Sequence, residues 1–291
     1  MDLVLDAARL ANIELLGHSF SDSDYADDVA LVDHSLQSLT SSLTRLQAEA
    51  SRFGLNINWS KTKIQNIGYG PPPDVSQLNI QNVEIVSQFT YLGCCIESNA
   101  SSHSEIIRRI ALAASVFHRL SSVWKQENLL LSLKLRLYSS LVLSVLLYAS
   151  ETWTILAADL RRLEAFHMQC QRRILGIHWY DLISNVEVSS RTSLQSISDI
   201  ICKRRLTFFG HVVRLAPSVP AHSALMLSAD VFLGHNFPPG WSRPRGRPCK
   251  SWFQLVREDL SVPLEDALAA ASDRQMWREV VMESISSPPA Q

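Results

Sequence analysis

The stretch SDSDYADDVALV occupies residues 21–32, and two adjacent carboxylates, Asp27 and Asp28, stand near its centre. An acidic, serine-rich segment precedes the pair and the apolar run Val29–Val32 follows it, a pattern that predicts a strand, a turn and a second strand. Paired carboxylates on such a turn form an oxygen-rich site of the kind that suits Mg²⁺. Two such ions can clamp the attacking and leaving oxygens of a phosphoryl transfer. We therefore expect metal-dependent phosphoryl chemistry at Asp27 and Asp28.

The segment after this turn predicts a helix followed by short strands. Apolar residues recur at helical spacing from Leu36 to Phe53, and Gly54 stands where such a helix would end. Residues 57–59 and 64–69 have the character of short strands, and residues 78–96 return to it. The first hundred residues therefore predict a mixture of short strands and one amphipathic helix.

The order of these segments resembles the last palm motifs of reverse transcriptases from non-LTR (LINE-type) retrotransposons. YADDVAL is followed by the helix, then by FGLNIN, KTK and FTYLG at residues 53–58, 61–63 and 89–93. The resemblance implies an α+β fold, with a partial reverse-transcriptase palm of antiparallel strands and a helix over residues 1–98. A mostly helical thumb and connection would occupy residues 99–215. A basic loop and C-terminal helices would occupy residues 216–291, with a disordered end.

The resemblance also assigns roles around the active site. Asp27 would be the metal ligand that bridges the nucleotide and the primer end, and Asp28 a weaker or second-shell ligand, with Mg²⁺ as the cofactor. Lys61 would lie near the departing pyrophosphate, and Lys63 is the alternative. The residues that would hold the primer end are Phe89, Tyr91, Leu92 and Gly93.

Several arginines are candidates for contact with an RNA template and a DNA primer. LYASETW at residues 147–153 and RRILGI at residues 172–177 resemble the thumb and connecting region of the same elements. Phosphate contact through arginine gives affinity without sequence choice. The candidates in this region are Arg161, Arg162, Arg172 and Arg173.

The C-terminal region adds a second basic segment. RGRP at residues 245–248 resembles the core of an AT-hook, whose arginines enter narrow minor grooves, so double-stranded target DNA is a possible partner. The candidates are Arg243, Arg245, Arg247 and Lys250. FGHV at residues 209–212, with Arg214, resembles the G-H-x-x-R segment of the same retrotransposon proteins.

One expected part of the metal site is not found. The family's other metal-binding aspartate lies well upstream of Y-x-D-D, and neither Asp2 nor Asp6 stands in its pattern. The resemblance thus predicts a fragment of an RNA-directed DNA polymerase that is inactive alone. Two alternatives stay open: a non-catalytic nucleic-acid-binding remnant that acts through the helical region and the RGRP loop, and a decayed copy that never folds to a single state.

Helical spacing dominates after Ser102. Helices are predicted along a stripe from Ile106 to Leu120, over 131–150, after Asp159, over 199–215, and over 252–260 and 264–282. Residues 216–250 are rich in Pro, Gly and Arg and predict an irregular exposed loop. His167 and Cys170 have a spacing that suits a metal but lie on an apolar stripe, which favours a core pair.

Composition adds broad limits. The 291 residues carry a net charge of −1, but residues 1–34 are acidic and residues 203–257 are basic, which fits a nucleic-acid enzyme. The acidic cluster lacks the turn glycine and terminal glutamate of an EF-hand, which makes a calcium loop a weaker alternative. No signal peptide, membrane span or C-x-x-C spacing is recognisable. These features predict an intracellular protein of the nucleus or cytoplasm, with no membrane partner.

Overall fold

The computed structural model describes residues 13–15, 18–20, 22–68, 83–235 and 250–286, and the fold within them is α+β. The chain divides into two compact units. The first unit comprises Met1–Ser101 and Ala216–Arg243, and the second comprises Ser102–Leu215 and Pro244–Gln291. This partition assigns the two ends of the expected C-terminal region to different units. The three-part domain division stays a prediction.

The first unit begins with two antiparallel hairpins. Strands β1 (Ile13–Leu15) and β2 (His18–Phe20) form one pair, and strands β3 (Asp22–Tyr25) and β4 (Asp28–Leu31) form the other. The expected strand–turn–strand unit around the paired aspartates is therefore confirmed.

Helix α1 (Leu36–Arg52) follows, and Ser35 caps its N-terminus by accepting a hydrogen bond from the Ser38 amide. Gly54, with a φ of 74°, adopts the left-handed conformation just after the helix, as its position in the sequence predicts. Leu46 and Ala50 of α1 pack against Val29 and Leu31 of β4 and against Ile57. This small apolar cluster holds the hairpin on the helix.

The remaining strands of the first unit are short. Strand β5 (Lys63–Ile64) pairs parallel with β6 (Glu84–Ile85), and β7 (Gln88–Tyr91) pairs antiparallel with β8 (Cys94–Glu97). Strand pairing in the described residues consists of separate two-stranded units, not one continuous sheet.

The strand prediction at residues 57–59 is wrong, and the one at 64–69 is right only at Ile64, with residue 69 outside the described ranges. The reason is a turn at Asn58, whose carbonyl accepts hydrogen bonds from the Lys61 and Thr62 amides. A loop prediction also fails, because residues Pro220–Leu233 form helix α9 within the stretch expected to be irregular. Proline in its first turn and Gly234 just after its end are favourable helix boundaries. Residues 236–249 of that stretch lie outside the described ranges.

The second unit is helical. Its first half contains α2 (His103–Arg119), α3 (Ser121–Lys125), α4 (Leu131–Leu137), a π-helical turn (Tyr138–Leu143), α5 (Ser144–Leu146), a 3₁₀ turn (Ser150–Thr152) and α6 (Ala157–Leu175). Its second half contains a 3₁₀ turn (Trp179–Asp181), α7 (Asn185–Thr192), α8 (Ile197–Val213), α10 (Trp252–Asp259), α11 (Leu264–Ser272) and α12 (Arg274–Ser286). One apolar cluster joins α2 through α6 and α8.

Two of the long helices expected in this unit are interrupted. The helix over 131–150 ends at Leu146, and Ala149 takes a left-handed conformation with a φ of 57°. The helix over 264–282 is divided at Asp273, whose carboxylate accepts hydrogen bonds from the Gln275 and Met276 amides and so begins a new helix. Among the described helices, none combines the length and the apolar character that crossing a membrane requires.

Candidate functional site

The paired aspartates lie at the tip of the β3–β4 hairpin. Ala26 and Asp27 form the two-residue turn, because Tyr25 pairs directly with Asp28. Ala26 has a φ of 57°, a conformation that two-residue hairpin turns require at their first central position. Asp27 and Asp28 are both exposed, and 67% of the Tyr25 surface is accessible. The turn therefore presents two carboxylates and an aromatic ring to solvent.

The fit of this turn to a metal can be tested from its surroundings. Neither Asp27 nor Asp28 forms an ion pair within the described part of the chain, so no cation among the described residues neutralises them. Carboxylate oxygens on an exposed turn suit Mg²⁺, which keeps several waters and binds through one or two carboxylates together with phosphate. Across the described ranges, no group of three or more potential ligands gathers at one point. The pair therefore fits the role of a partial Mg²⁺ site that phosphate oxygens would complete.

The calcium-loop alternative does not fit the described geometry. Asp22 and Asp24 lie on strand β3, where they pair with Leu31 and Val29 of β4. An EF-hand needs its first ligands on a loop that curls around the ion, and an extended strand paired with its neighbour cannot do so.

The segment expected to hold the primer forms a second hairpin. Leu92 and Gly93 make its turn, with φ values of 47° and 78°, so both central positions are left-handed as a type I′ turn requires. Phe89 is half-buried on β7. The hydroxyl of Tyr91 donates a hydrogen bond of 3.0 Å to the carbonyl of Ser23 on β3. Two segments that are far apart in sequence are thus joined side by side within the first unit.

The two candidate lysines have different surroundings. Lys63 forms an ion pair of 2.8 Å with Glu84 across β5 and β6, and this contact lowers the pKa of the Glu84 carboxyl through the hydrogen bond and charge of Lys63. Lys61 is exposed on the Asn58 turn, where Ser60 donates to the Asn58 side chain at 2.7 Å. Lys61 is accordingly the lysine that stays accessible to a ligand.

The four candidate arginines of α6 are not equivalent. Arg162 forms an ion pair of 2.7 Å with buried Asp159, which also contacts His103 at 2.8 Å. Arg172 donates to the Ile183 carbonyl and to Asn185, so it fixes the loop that follows α6. Arg161 and Arg173 are exposed. These two have the side chains most available for phosphate.

Of the four basic candidates near the C-terminus, the structure describes one. Arg243, Arg245 and Arg247 lie outside the described residues. Lys250 is described, and its ammonium lies 2.6 Å from the Glu258 carboxylate on α10. The charge of Lys250 is therefore partly compensated.

The LYASETW segment connects several helices of the second unit. Arg204 of α8 donates to the Leu147 carbonyl, and Trp252 of α10 donates to the Glu151 carbonyl at 2.8 Å. The Arg109 guanidinium lies 4.3 Å from the centre of the Tyr148 ring, a cation–π contact. Trp153 is buried in the main core. This segment is thus a packing junction.

His167 and Cys170 form a buried polar pair in the same core, as the apolar stripe favours. His167 Nδ1 lies 2.8 Å from the Tyr138 hydroxyl, and its Nε2 lies 3.2 Å from the Gln195 carbonyl. The carbonyl can only accept, so we assign the proton to Nε2 and let Nδ1 accept from Tyr138. Burial lowers the pKa of His167 to about 4 and raises that of Cys170 to about 12. Both side chains are therefore uncharged at neutral pH.

A cationic groove in the second unit was not identified from sequence. It lies between α8 and α12, has a volume of about 500 Å³, and is lined by Lys203, His211 and Arg214 on one side and by Arg274 and Arg278 on the other. Lys203, His211 and Arg214 belong to the basic and G-H-x-x-R segments noted above. The sequence did contain one indication of this groove: Arg274 and Arg278 are four residues apart, and residues at that spacing share one face of a helix.

Comparison with known proteins gives one relative to report. The chain is 24% identical over 293 aligned positions to a Caenorhabditis elegans protein described as an uncharacterized transposon-derived protein. The alignment spans 93% of this chain and 98% of the relative. This similarity supports a transposon-related origin. No family model matches the chain, and no solved structure matches it.

Proposed function

We propose that the first unit derives from the palm of a LINE-type reverse transcriptase and that the chain binds a duplex of RNA template and DNA primer. In this proposal Asp27 and Asp28 bind Mg²⁺, Lys61 faces the pyrophosphate, and the β7–β8 hairpin holds the primer end. The transposon-derived relative supports the origin, and the geometry of the two hairpins supports the more specific reading.

The observation that carries the proposal is the contact between Tyr91 and Ser23. Attack by a primer 3′-hydroxyl requires the reacting atoms to approach to about 3–3.5 Å. The surface that holds a primer must therefore adjoin the metal ligands. The hydrogen bond joins the β7–β8 hairpin to the strand that leads to Asp27, and this contact supports the proposed arrangement.

The charged side chains of the first unit are consistent with the proposal. Asp27 and Asp28 supply negative oxygen ligands at an exposed tip, and Lys61 supplies an exposed ammonium on a separate turn. A bound Mg²⁺ would supply Lewis acidity at the phosphates. The protein's own contribution would be to orient the metal through the carboxylates and to stabilise the departing charge through Lys61.

Metal binding at the hairpin tip is the first test. We expect Mn²⁺, measured by loss of its free paramagnetic signal and displaced by Mg²⁺, to bind the full chain in the presence of primer–template and nucleotide. The double variant Asp27→Asn/Asp28→Asn should lose this binding. Asp24→Asn is the matched control, because it removes the same kind of charge from the same hairpin away from the tip. Equal Mn²⁺ binding by wild type and the double variant would refute the metal site.

Catalysis is tested separately. Because the described residues bring no third metal ligand to Asp27 and Asp28, we expect no primer extension by this chain alone. Mg²⁺-dependent synthesis that disappears in Asp27→Ala would overturn the expected inactivity and establish a complete polymerase site.

A second candidate function is non-catalytic nucleic-acid binding through the helical unit. The exposure of Arg161 and Arg173 on α6 favours it. The two functions predict different effects of substituting Asp27 on ligand binding. A binding remnant should hold the duplex equally well after Asp27→Asn and should weaken after Arg161→Gln/Arg173→Gln. A polymerase-derived palm should also lose metal-dependent binding of nucleotide after Asp27→Asn.

A further inference from the structure

The groove between α8 and α12 is a cavity in the second unit with an uneven distribution of charge. Lys203, Thr207 and His211 are spaced four apart on α8, so they share one face, and Arg214 continues that line just beyond the helix. Arg274 and Arg278 are likewise four apart on α12. The side chains that line the groove include four cations and no carboxylate.

Packing between the two helices fixes the floor of the groove. Trp277 is buried, and its indole N–H donates to the Leu206 carbonyl at 2.9 Å. A Cβ at Gly210 would lie 2.1 Å from the Trp277 indole nitrogen, so only glycine permits this approach. Gly210 thus lets α12 lie close to α8, and the next residue, His211, lines the groove. Trp277 and Val281 make the floor apolar.

The cations of the groove are poorly compensated. Lys203, Arg274 and Arg278 form no ion pair within the parts of the chain that the structure describes. Arg214 donates to the Ala271 carbonyl at 2.7 Å. Partial burial lowers the pKa of Arg214, the charges of Arg274 and Arg278 lower it further, and Asp273 opposes them. The Asp273 carboxylate is itself engaged in capping α12. An anion among these side chains would relieve their mutual repulsion.

We propose that this groove binds one nucleotide unit of a single nucleic-acid strand. Its phosphates would lie against Arg274, Arg278 and Lys203, and its sugar and base would cover the apolar floor. The volume of about 500 Å³ falls within the usual range of small-molecule sites. A nucleotide combines a strong anion with a flat, weakly polar group, which matches cations placed beside Trp277 and Val281. The site does not depend on the metal hairpin, since all the residues that line it belong to the second unit.

The test is binding of the full chain to a labelled single-stranded oligonucleotide, measured by fluorescence anisotropy across a salt titration. Arg274→Gln/Arg278→Gln should weaken binding about tenfold and reduce the salt slope by about 1.4, since each phosphate contact contributes about 0.7 on a single strand. Both arginines are exposed, so the variant should fold, and circular dichroism will check this. Arg119→Gln/Arg136→Gln is the matched control, because it removes two exposed arginines from the same unit outside the groove.

The outcomes are distinct. The site is supported if Arg274→Gln/Arg278→Gln lowers both the affinity for the oligonucleotide and its salt dependence while the control variant does not. Unchanged binding, or an equal loss in both pairs of variants, overturns it. Competition identifies the ligand further: a nucleoside monophosphate should displace the strand at a lower concentration than inorganic phosphate does. If the monophosphate and inorganic phosphate displace the strand equally well, the groove does not recognise a nucleotide and binds anions in general. The oligonucleotide assay contains no divalent cation, so failure here is separable from failure of the metal hairpin, which is tested by Mn²⁺ binding.

Discussion

The two units of this chain differ in how their cores are built. In the second unit, buried and partly buried residues from α2 through α6 and α8 form one continuous apolar cluster that contains Tyr138, Trp153 and Leu163. In the first unit, the cluster beneath the paired aspartates consists of Leu46 and Ala50, with partly buried neighbours on β4 and at Ile57. Burial of apolar surface is the dominant stabilising contribution in folding. The difference teaches that the hairpin with the paired aspartates rests on a small apolar cluster, whereas the described helices of the second unit share an extensive core.

Acid should destabilise the helical unit, and this is the largest effect that we predict. His167 has a pKa of about 4 in the folded second unit against an ordinary value of 6.5. The unfolded chain therefore binds a proton between these values that the folded chain does not. Stability is unaffected above pH 6.5 and falls as the pH drops to 4, by about 3 kcal/mol. Hydrogen exchange by mass spectrometry at pH 7 and pH 4 should show this loss in α6 and α8.

The control for the acid effect is His167→Gln, which removes the titrating group. The variant should be less stable at pH 7, because it disturbs the contact with Tyr138. Its further loss of folding stability between pH 6.5 and pH 4 should be smaller than that of wild type by the contribution of His167, about 3 kcal/mol. A pH dependence as steep in the variant as in wild type would show that another group is responsible.

Features of the fold that depend on neighbouring residues were predicted more reliably than features that depend on distant contacts. The β3–β4 turn, α1 and the glycine after it depend on neighbouring residues, and all three were predicted correctly. Helix α9 was missed because the composition of residues 216–250 as a whole is rich in loop formers, although residues 220–233 are not. The break at Asp273 depends on a single capping carboxylate inside an otherwise helical pattern.

Residue spacing and short motifs do not indicate which distant parts of the chain come into contact. The groove joins Arg214 to residues about sixty positions later, and nothing local indicates that α8 and α12 are neighbours. The same holds for Tyr91 and Ser23, whose motifs were recognised separately while their contact was not. The sequence therefore predicted the local turns on which the candidate residues of the first unit lie, and it missed the cationic groove of the second unit, which only packing assembles.

Substitution at Gly210 should produce the next largest effect and is confined to the second unit. Gly210→Ala would place a methyl group 2.1 Å from the Trp277 indole, so α12 must shift away from α8. Overpacking of this kind costs about 1–3 kcal/mol. Urea unfolding followed by tryptophan fluorescence should show the loss, and oligonucleotide binding should weaken because the groove widens. Gly234→Ala is not a suitable control, since its φ of 84° adds backbone strain of its own.

The smallest effect gives the sharpest comparison between the units. Gly54 follows α1 in the first unit and Gly176 follows α6 in the second, with φ values of 74° and 71°. A Cβ at either position meets no atom within 4 Å, so alanine brings only backbone strain. Gly54→Ala and Gly176→Ala should each cost roughly 1–2 kcal/mol.

An equal free-energy loss should have unequal thermal consequences. The entropy of unfolding grows with the number of residues, so the same loss of free energy lowers Tm more in a smaller unit than in a larger one. The first unit is the smaller, and calorimetry should therefore record a larger fall in Tm for Gly54→Ala in its own transition than for Gly176→Ala in the transition of the helical unit. A single transition that both variants shift equally would mean that the two units unfold together. In that case the hairpin that carries Asp27 and Asp28 would unfold together with the helical unit.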